Sequence, residues 1–338
     1  MQMFYSKAHK QHNPVVEVDH GRLVPYADTP GRIEAIRDRL LHDHLAECIE
    51  PALINDLTFL QSTHSPAMIE FLSQRARHMQ PGQDYVYPEI FPITEEMKPL
   101  ANQPHRADGY FAFDVYSPIG RGTWMAAFAS ASLAVNAASA LLNVQAAAYA
   151  LCRPPGHHAG RNFYGGYCYL NNAALAAQVL KKAGRTAILD LDYHHGNGTQ
   201  SIFWNDADTL VVSLHADPAF EYPHYCGFSN ETGGPDAPGS NHNFPLPAGT
   251  DGKPYLHTLA TALDMIHRFA PASLIVSMGF DTSAGDLTTT FQLTPTDYRR
   301  IGQALAALQQ PTLFVQEGGY GETEIGRLAA ALMEGFEK

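Results

Sequence analysis

From about residue 123 onward, short apolar runs that close on polar clusters alternate with segments whose apolar residues recur at helical spacing. The runs 146–151, 186–191, 209–214, 273–278 and 312–316 predict strands, while 171–183, 255–268 and 296–308 predict helices. Such alternation predicts an α/β fold: a mostly parallel central sheet flanked by helices. The apolar stretch 124–142 is Ala-rich and broken by Ser130, Ser132, Asn136 and Ser139, which suits a buried helix better than a membrane span. The first half is less periodic. Residues 81–122, rich in Pro, Gly and aromatics, read as a long loop insertion in a single domain covering 1–338, and a loop of that length usually serves function or assembly.

Composition narrows the partners more than the fold. A chain of 338 residues with 45% hydrophobic content can bury a large core, in one α/β domain or two small ones. Lys plus Arg is 22 against 34 Asp plus Glu, so the net charge of −12 argues against nucleic acid and would draw cations to the surface. Residues 1–10 hold no apolar segment of the kind a secretory signal needs, so a cytoplasmic protein without a membrane anchor is expected. Cys48, Cys152, Cys168 and Cys226 lack CxxC spacing and read as reduced thiols.

The polar clusters converge on one chemistry. Arg153-Pro-Pro-Gly-His-His158, Asp192-Tyr-His-His195, His215, Gly279-Phe-Asp281 and Glu317-Gly-Gly-Tyr320 each follow or end a predicted strand, and open α/β sheets bind ligands beyond the carboxyl ends of their strands. Asp192 and His194 lie two apart at a strand end, so an extended backbone points both to one side, and Asp281 is the natural third metal ligand. A carboxylate–imidazole set suits Zn²⁺, which in catalytic sites takes three protein ligands and keeps a position open. The His157-His158 pair is suited to proton transfer near neutral pH, with Asp190 and Asn197 placed to orient one ring each: the carboxylate favours imidazolium and the amide a neutral ring. Tyr320, after a Gly pair, could donate to an oxyanion opposite the metal.

The segments RPPGHHAG (153–160), GGYCYLNN (165–172), ILDLDYHHGNGT (188–199), VSLH (212–215), MGFDTSAGD (278–286) and EGGY (317–320) resemble the arginase-fold zinc deacetylases, the family of histone deacetylases and bacterial acetylpolyamine amidohydrolases. THSPAMIEFL (63–72) and TPGRIEAI (29–36) extend the likeness into the first half. The resemblance implies one catalytic zinc on Asp192, His194 and Asp281, His158 as general base and then acid, His157 as its electrostatic partner, and Tyr320 polarising the acetyl carbonyl. It implies that the Gly166 carbonyl meets the scissile amide N–H and that Tyr167 and Tyr222 wall a narrow tunnel for a methylene chain. It also implies a structural potassium ion at Asp190, Asp192, His194, Ser213 and Leu214.

Within that family, the loop 81–122 and the wording EGGYGETEIG (317–326) are closer to the polyamine enzymes, in which a comparable insertion builds a homodimer and narrows the active-site mouth. Two departures bear on specificity. His105 and Tyr116 stand where acids would meet a distal ammonium, leaving Asp108 and Asp114 as the nearby carboxylates, and SAGD (283–286) has histone-deacetylase wording. The expected activity is removal of acetyl groups from acetylpolyamines or related small acetylated amines. The competing readings are a protein acetyl-lysine deacetylase, a broad short-chain acyl-amine amidase, an arginase-like binuclear hydrolase, and a non-catalytic binder of acetylated amines.

Overall fold

The five predicted runs form the centre of one sheet in the computed structural model, which describes residues 1–92, 108–143 and 146–337. The strands are Gln2–Phe4 (β1), Val16–Asp19 (β2), Arg22–Pro25 (β3), Glu47–Ile49 (β4), Tyr85–Val86 (β5), Ile119–Gly120 (β6), Ala147–Ala150 (β7), Thr186–Asp190 (β8), Thr209–Ala216 (β9), Asn241–Leu246 (β10), Ser273–Met278 (β11) and Thr312–Gln316 (β12). The helices are Gly31–His42 (α1), Pro66–Gln74 (α2), Thr123–Leu142 (α3), Asn172–Leu180 (α4), Asn197–Phe203 (α5), Gly252–Phe269 (α6), Pro295–Ala306 (α7) and Glu322–Phe336 (α8). The sheet has eight strands in the order β10-β9-β8-β11-β12-β7-β1-β4, every pairing parallel.

Alternation along the strands divides the core into two layers. Ala187, Leu189, Leu274, Val276, Met278 and Phe314 face one side, where they pack with α1, α6, α7 and α8. Ile188, Ile275, Leu313 and Val315 face the other, against α3 and α4. A strand buried on both faces reads as a continuous apolar run, which is why these strands were legible as runs and not as alternations. The edges of the sheet were not legible: β1 and β4 are three residues each, and β10 reads Asn-His-Asn-Phe-Pro-Leu. The predicted helix 171–183 ends its α-helical part at Leu180 and finishes in a 3₁₀ turn. Helix α3 is long and apolar enough to cross a membrane by length and composition, and 67% of its apolar window is buried within the protein.

The loop insertion is tied at its base. Tyr85 and Val86 pair antiparallel with Gly120 and Ile119, so the intervening chain leaves and returns at one place. Residues 93–107 of that loop, His105 among them, lie outside the described residues.

Candidate active site

The strand order sets the site's position. From β7 the chain crosses to β8, runs outward through β9 and β10, and returns to β11 on the other side of β8. At such a reversal the crossovers diverge and leave a crevice at the carboxyl end of the sheet. Into that crevice β8 delivers Asp190, Asp192 and His194, β11 delivers Asp281, β12 delivers Glu317 to Tyr320, and the segment after β7 delivers His157 and His158.

Asp192, His194 and Asp281 are brought together as the spacing implied: one ligand atom from each lies within 4.8 Å of the others. His194 Nδ1 is 3.3 Å from Asp192 Oδ1 and 3.4 Å from Asp281 Oδ2. The backbone N–H groups of His194, Gly318 and Tyr193 donate to Asp192 Oδ1 (2.9 Å), Asp192 Oδ2 (2.7 Å) and Asp281 Oδ1 (3.0 Å), fixing both carboxylates. Asp281 Oδ2 is buried and, apart from the His194 ring nitrogen 3.4 Å away, has no hydrogen-bond partner among the described residues. Burial, and then the charge of Asp192, push the Asp281 carboxyl up to about 7. Burial also opposes ionisation of Asp192, yet His157 and His194 outweigh it and hold that carboxyl below the ordinary range. Two buried carboxylates in mutual repulsion, one with an orphaned oxygen, are a donor set that a divalent cation satisfies. The cradle is tight, since a Cβ on Gly318 would lie 2.1 Å from Asp281 Oδ2.

The two histidines differ in what they touch. His157 Nδ1 is 3.0 Å from Asp190 Oδ2, and His158 Nδ1 is 2.7 Å from Asn197 Oδ1, with the rings 4.0 Å apart. Burial disfavours charge on His157, but Asp192 and Asp190 outweigh it and raise the imidazole to about 10. Burial and the neighbouring charges of His157 and His194 push His158 well below its usual value. With Asn197 Oδ1 as acceptor, Nδ1 of His158 carries the proton, and a neutral ring then has its Nε2 lone pair free. His157 is accordingly the charged member of the pair and His158 the basic one.

The Glu317–Gly321 loop is held by Arg32 and Asp286. Arg32 donates to the carbonyls of Gly319 and, at 2.6 Å, Glu317, and its guanidinium lies 4.8 Å from the centroid of the Tyr320 ring. Asp286 Oδ2 accepts the N–H groups of Tyr320 (2.6 Å) and Gly321 (2.9 Å). Burial, then Asp281, push the Tyr320 phenol well above 10, so it stays a donor. The sequence reading assigned no role to Arg32 or Asp286, although both sit in segments quoted for the resemblance.

These groups open into one cavity of about 530 Å³, whose wall includes His158, Gly166, Tyr167, His194, Tyr222 and Tyr320. Gly166 and Tyr167 both adopt positive φ (54° and 65°), and a Cβ on Gly166 would lie 2.4 Å from the His158 ring. Only glycine fits there. The expected ammonium contacts are placed differently. Asp108 does not line the cavity but pairs with Arg75, and the half-buried Asp114 also lies outside the lining, where its Oδ2 accepts from Tyr222 Oη (2.6 Å) and Gly166 N–H (2.8 Å). Both carboxylates are thus spent on protein donors, and Asp114 sets the wall instead of meeting a ligand.

The carboxylates that do line the cavity are Glu17, Asp19 and Glu221. Glu17 Oε1 accepts from Tyr167 Oη at 3.0 Å, its Oε2 is buried without a partner among the described residues, and burial pushes the group up to about 7. Asp19 Oδ1 accepts from Tyr116 Oη at 3.1 Å. Their spacing on β2, two residues apart and therefore on one face, was a readable signal in a weakly patterned region.

The chain resembles known proteins over its whole length. The family model for the histone deacetylase domain matches residues 26–336. The chain is 40% identical to acetylpolyamine amidohydrolase 2 of Pseudomonas aeruginosa, covering 100% of this chain and 99% of that protein. It is 37% identical to the acetylpolyamine amidohydrolase of Mycoplana ramosa, covering 99% of each. The crystal structure of an acetylpolyamine aminohydrolase from Burkholderia pseudomallei superimposes with a TM-score of 0.94 at 35% identity, over 99% of this chain and 98% of that one. The chain therefore belongs to the histone deacetylase domain family, hydrolases that act on acetyl amides.

Proposed function

We propose that this protein is a zinc-dependent amidohydrolase that removes acetyl groups from acetylpolyamines or similar small cationic amines. The observation that carries the reading is the shared cavity: His194, which gathers with Asp192 and Asp281, lines it together with His158 and Tyr320, and Glu17 and Asp19 line the same space. Zinc held by Asp192, His194 and Asp281 would polarise the acetyl carbonyl and activate the attacking water. His158, neutral and with Nε2 free, takes the proton from that water and returns it to the amine nitrogen as the C–N bond breaks, giving acetate and the free amine. His157, kept charged by Asp190, is its electrostatic partner. Tyr320 Oη donates to the developing oxyanion. The Gly166 carbonyl accepts from the scissile N–H, and Tyr167 and Tyr222 flank the methylene chain. We further place a structural potassium ion near Asp190, Asp192, His194, Ser213 and Leu214. Pairing of Asp190 with Ser213 between β8 and β9 supports this, as does the rise in the Asp190 carboxyl caused by burial, which a cation would relieve.

The distal ammonium of such a substrate would meet the Glu17 and Asp19 side chains that line the cavity. Turnover of acetylputrescine and acetylspermidine is expected to exceed that of an acetyl-lysine peptide, and Glu17→Gln to raise KM for acetylpolyamines by roughly 10-fold or more, the scale of a lost hydrogen bond to a charged group. A neutral acetylated amine of equal length should be unaffected. Because the carboxyl of Glu17 is raised to about 7, it is ionised above that pH, and KM for the polyamines should climb as the pH falls below it. Faster turnover of the peptide than of either polyamine would overturn the substrate assignment and leave the hydrolysis intact.

The protein is proposed to act in the cytoplasm as a homodimer. The tied base of the loop insertion and the exposed Ile90 (82%) beside it support an arm that meets a second copy. Sedimentation equilibrium should give twice the chain mass of 37.0 kDa, and deleting residues 93–107 should yield a monomer that accepts acetylated peptides. A full-length monomer would remove the dimer from the account of specificity.

A further inference from the structure

Glu317 has no part in the chemistry derived above, although it opens the loop that carries Tyr320. It is fully buried at the end of β12 and forms no ion pair with any described residue. Burying a carboxylate costs several kcal/mol in real proteins unless something compensates it, so its contacts indicate what it is for. Oε2 accepts two backbone N–H groups, from Gly156 at 2.7 Å and His157 at 3.2 Å, while Oε1 has no partner among the described residues. A carboxylate oxygen of Glu317, a ring nitrogen of His157 and Cys168 Sγ lie within 4.8 Å of one another.

The donors explain the choice of residue. Pro154 and Pro155 precede them and offer no N–H, so Gly156 and His157 are the first donors available in the turn that presents the histidine pair. The backbone of Glu317 faces other parts of the site: its carbonyl accepts from Arg32 Nη2 at 2.6 Å, and the next N–H, of Gly318, donates to Asp192 Oδ2 at 2.7 Å. One residue thus bridges the ends of β7, β8 and β12.

We propose that Glu317 is a positioning residue for the hydrolysis: its carboxylate clamps the Gly156–His157 backbone and holds the histidine pair in register with Asp192 and Tyr320. The proposal rests on the amidohydrolase reading above. Two substitutions separate reach from charge. Glu317→Gln is isosteric and keeps an acceptor oxygen for both N–H groups while losing the charge. Glu317→Asp keeps the charge but falls about 1.5 Å short, one carbon–carbon bond.

The Asp variant should lose about 10–100-fold in kcat on acetylputrescine, the usual cost of losing a partner that orients a site residue, with KM and zinc content unchanged. The Gln variant should keep most of the wild-type kcat and leave the imidazole ¹⁵N resonances of His157 and His158 in place, whereas the Asp variant should shift them. Equal impairment of the two variants, a near-wild-type Asp variant, or a loss of kcat that tracks loss of zinc would each overturn the clamp. Wild-type protein inert toward every acetyl amide would sink the amidohydrolase reading instead, and the histidine resonances would still decide the clamp.

Discussion

Asp281→Ala is expected to fold, to bind no catalytic zinc and to lose hydrolysis by more than the roughly 10²–10³-fold that a single oxyanion donor is worth. The size of the effect follows from the count of ligands. A catalytic zinc site has three protein ligands, and two remaining groups neither retain the ion nor leave it an ordered open position. Folding should survive because Asp281 is held mainly by one hydrogen bond, from the Tyr193 N–H, and removing it relieves the repulsion with Asp192. The check is a thermal melt with and without zinc. A ligand that binds only the folded state stabilises it by mass action, so zinc should raise the Tm of the wild type and leave that of the variant unchanged. Chelation should silence the wild type and added zinc restore it. Exchanging potassium for a bulky monovalent cation should lower Tm at constant zinc content, and no change in Tm would remove the potassium site. Full activity of metal-free Asp281→Ala would exclude the metal assignment.

Tyr320→Phe should cost about 10²–10³ in kcat, or roughly 2.7–4 kcal/mol of transition-state stabilisation, with KM little changed. The substitution is a clean one. Its backbone N–H stays on Asp286, and its ring keeps the contacts with Tyr167, at 5.5 Å, and with the guanidinium of Arg32. Only the hydroxyl is lost. Since burial keeps the phenol protonated far above neutrality, the wild-type donor is available over the whole working range and the deficit should not depend on pH between about 6 and 9. A variant with near-wild-type kcat would show that the metal alone polarises the carbonyl.

Specificity was the least legible part of the chemistry. Asp108 and Asp114 were nominated by closeness in sequence to the end of the loop, but a carboxylate is used by whichever donor reaches it first. Arg75 on one and Tyr222 with Gly166 on the other are contacts between segments 33 to 108 residues apart. Glu17 and Asp19 reach the cavity because the β2–β3 hairpin folds over it; their spacing puts both on one face of β2, but only the fold says which way that face looks. Arg32 and Asp286 were hidden for a similar reason: each acts on the backbone of the Glu317–Gly321 loop, and backbone acceptors and donors leave no trace in a residue pattern.

The parallel sheet was legible in the residues alone, because strands buried on both faces must be apolar throughout, and so were the candidate metal-ligand cluster and the paired histidines, because chemistry at strand ends demands particular side chains at fixed offsets. The tertiary structure alone decided the short edge strands, whose few residues carry no period; the split between His157 and His158 was anticipated from Asp190 and Asn197, and the fold adds burial of both rings, the charge of Asp192 beside one and the charges of His157 and His194 beside the other. It alone decided which acids line the cavity. Burial and charge act through space, and the chain's order in sequence does not encode which distant donor each carboxylate will meet.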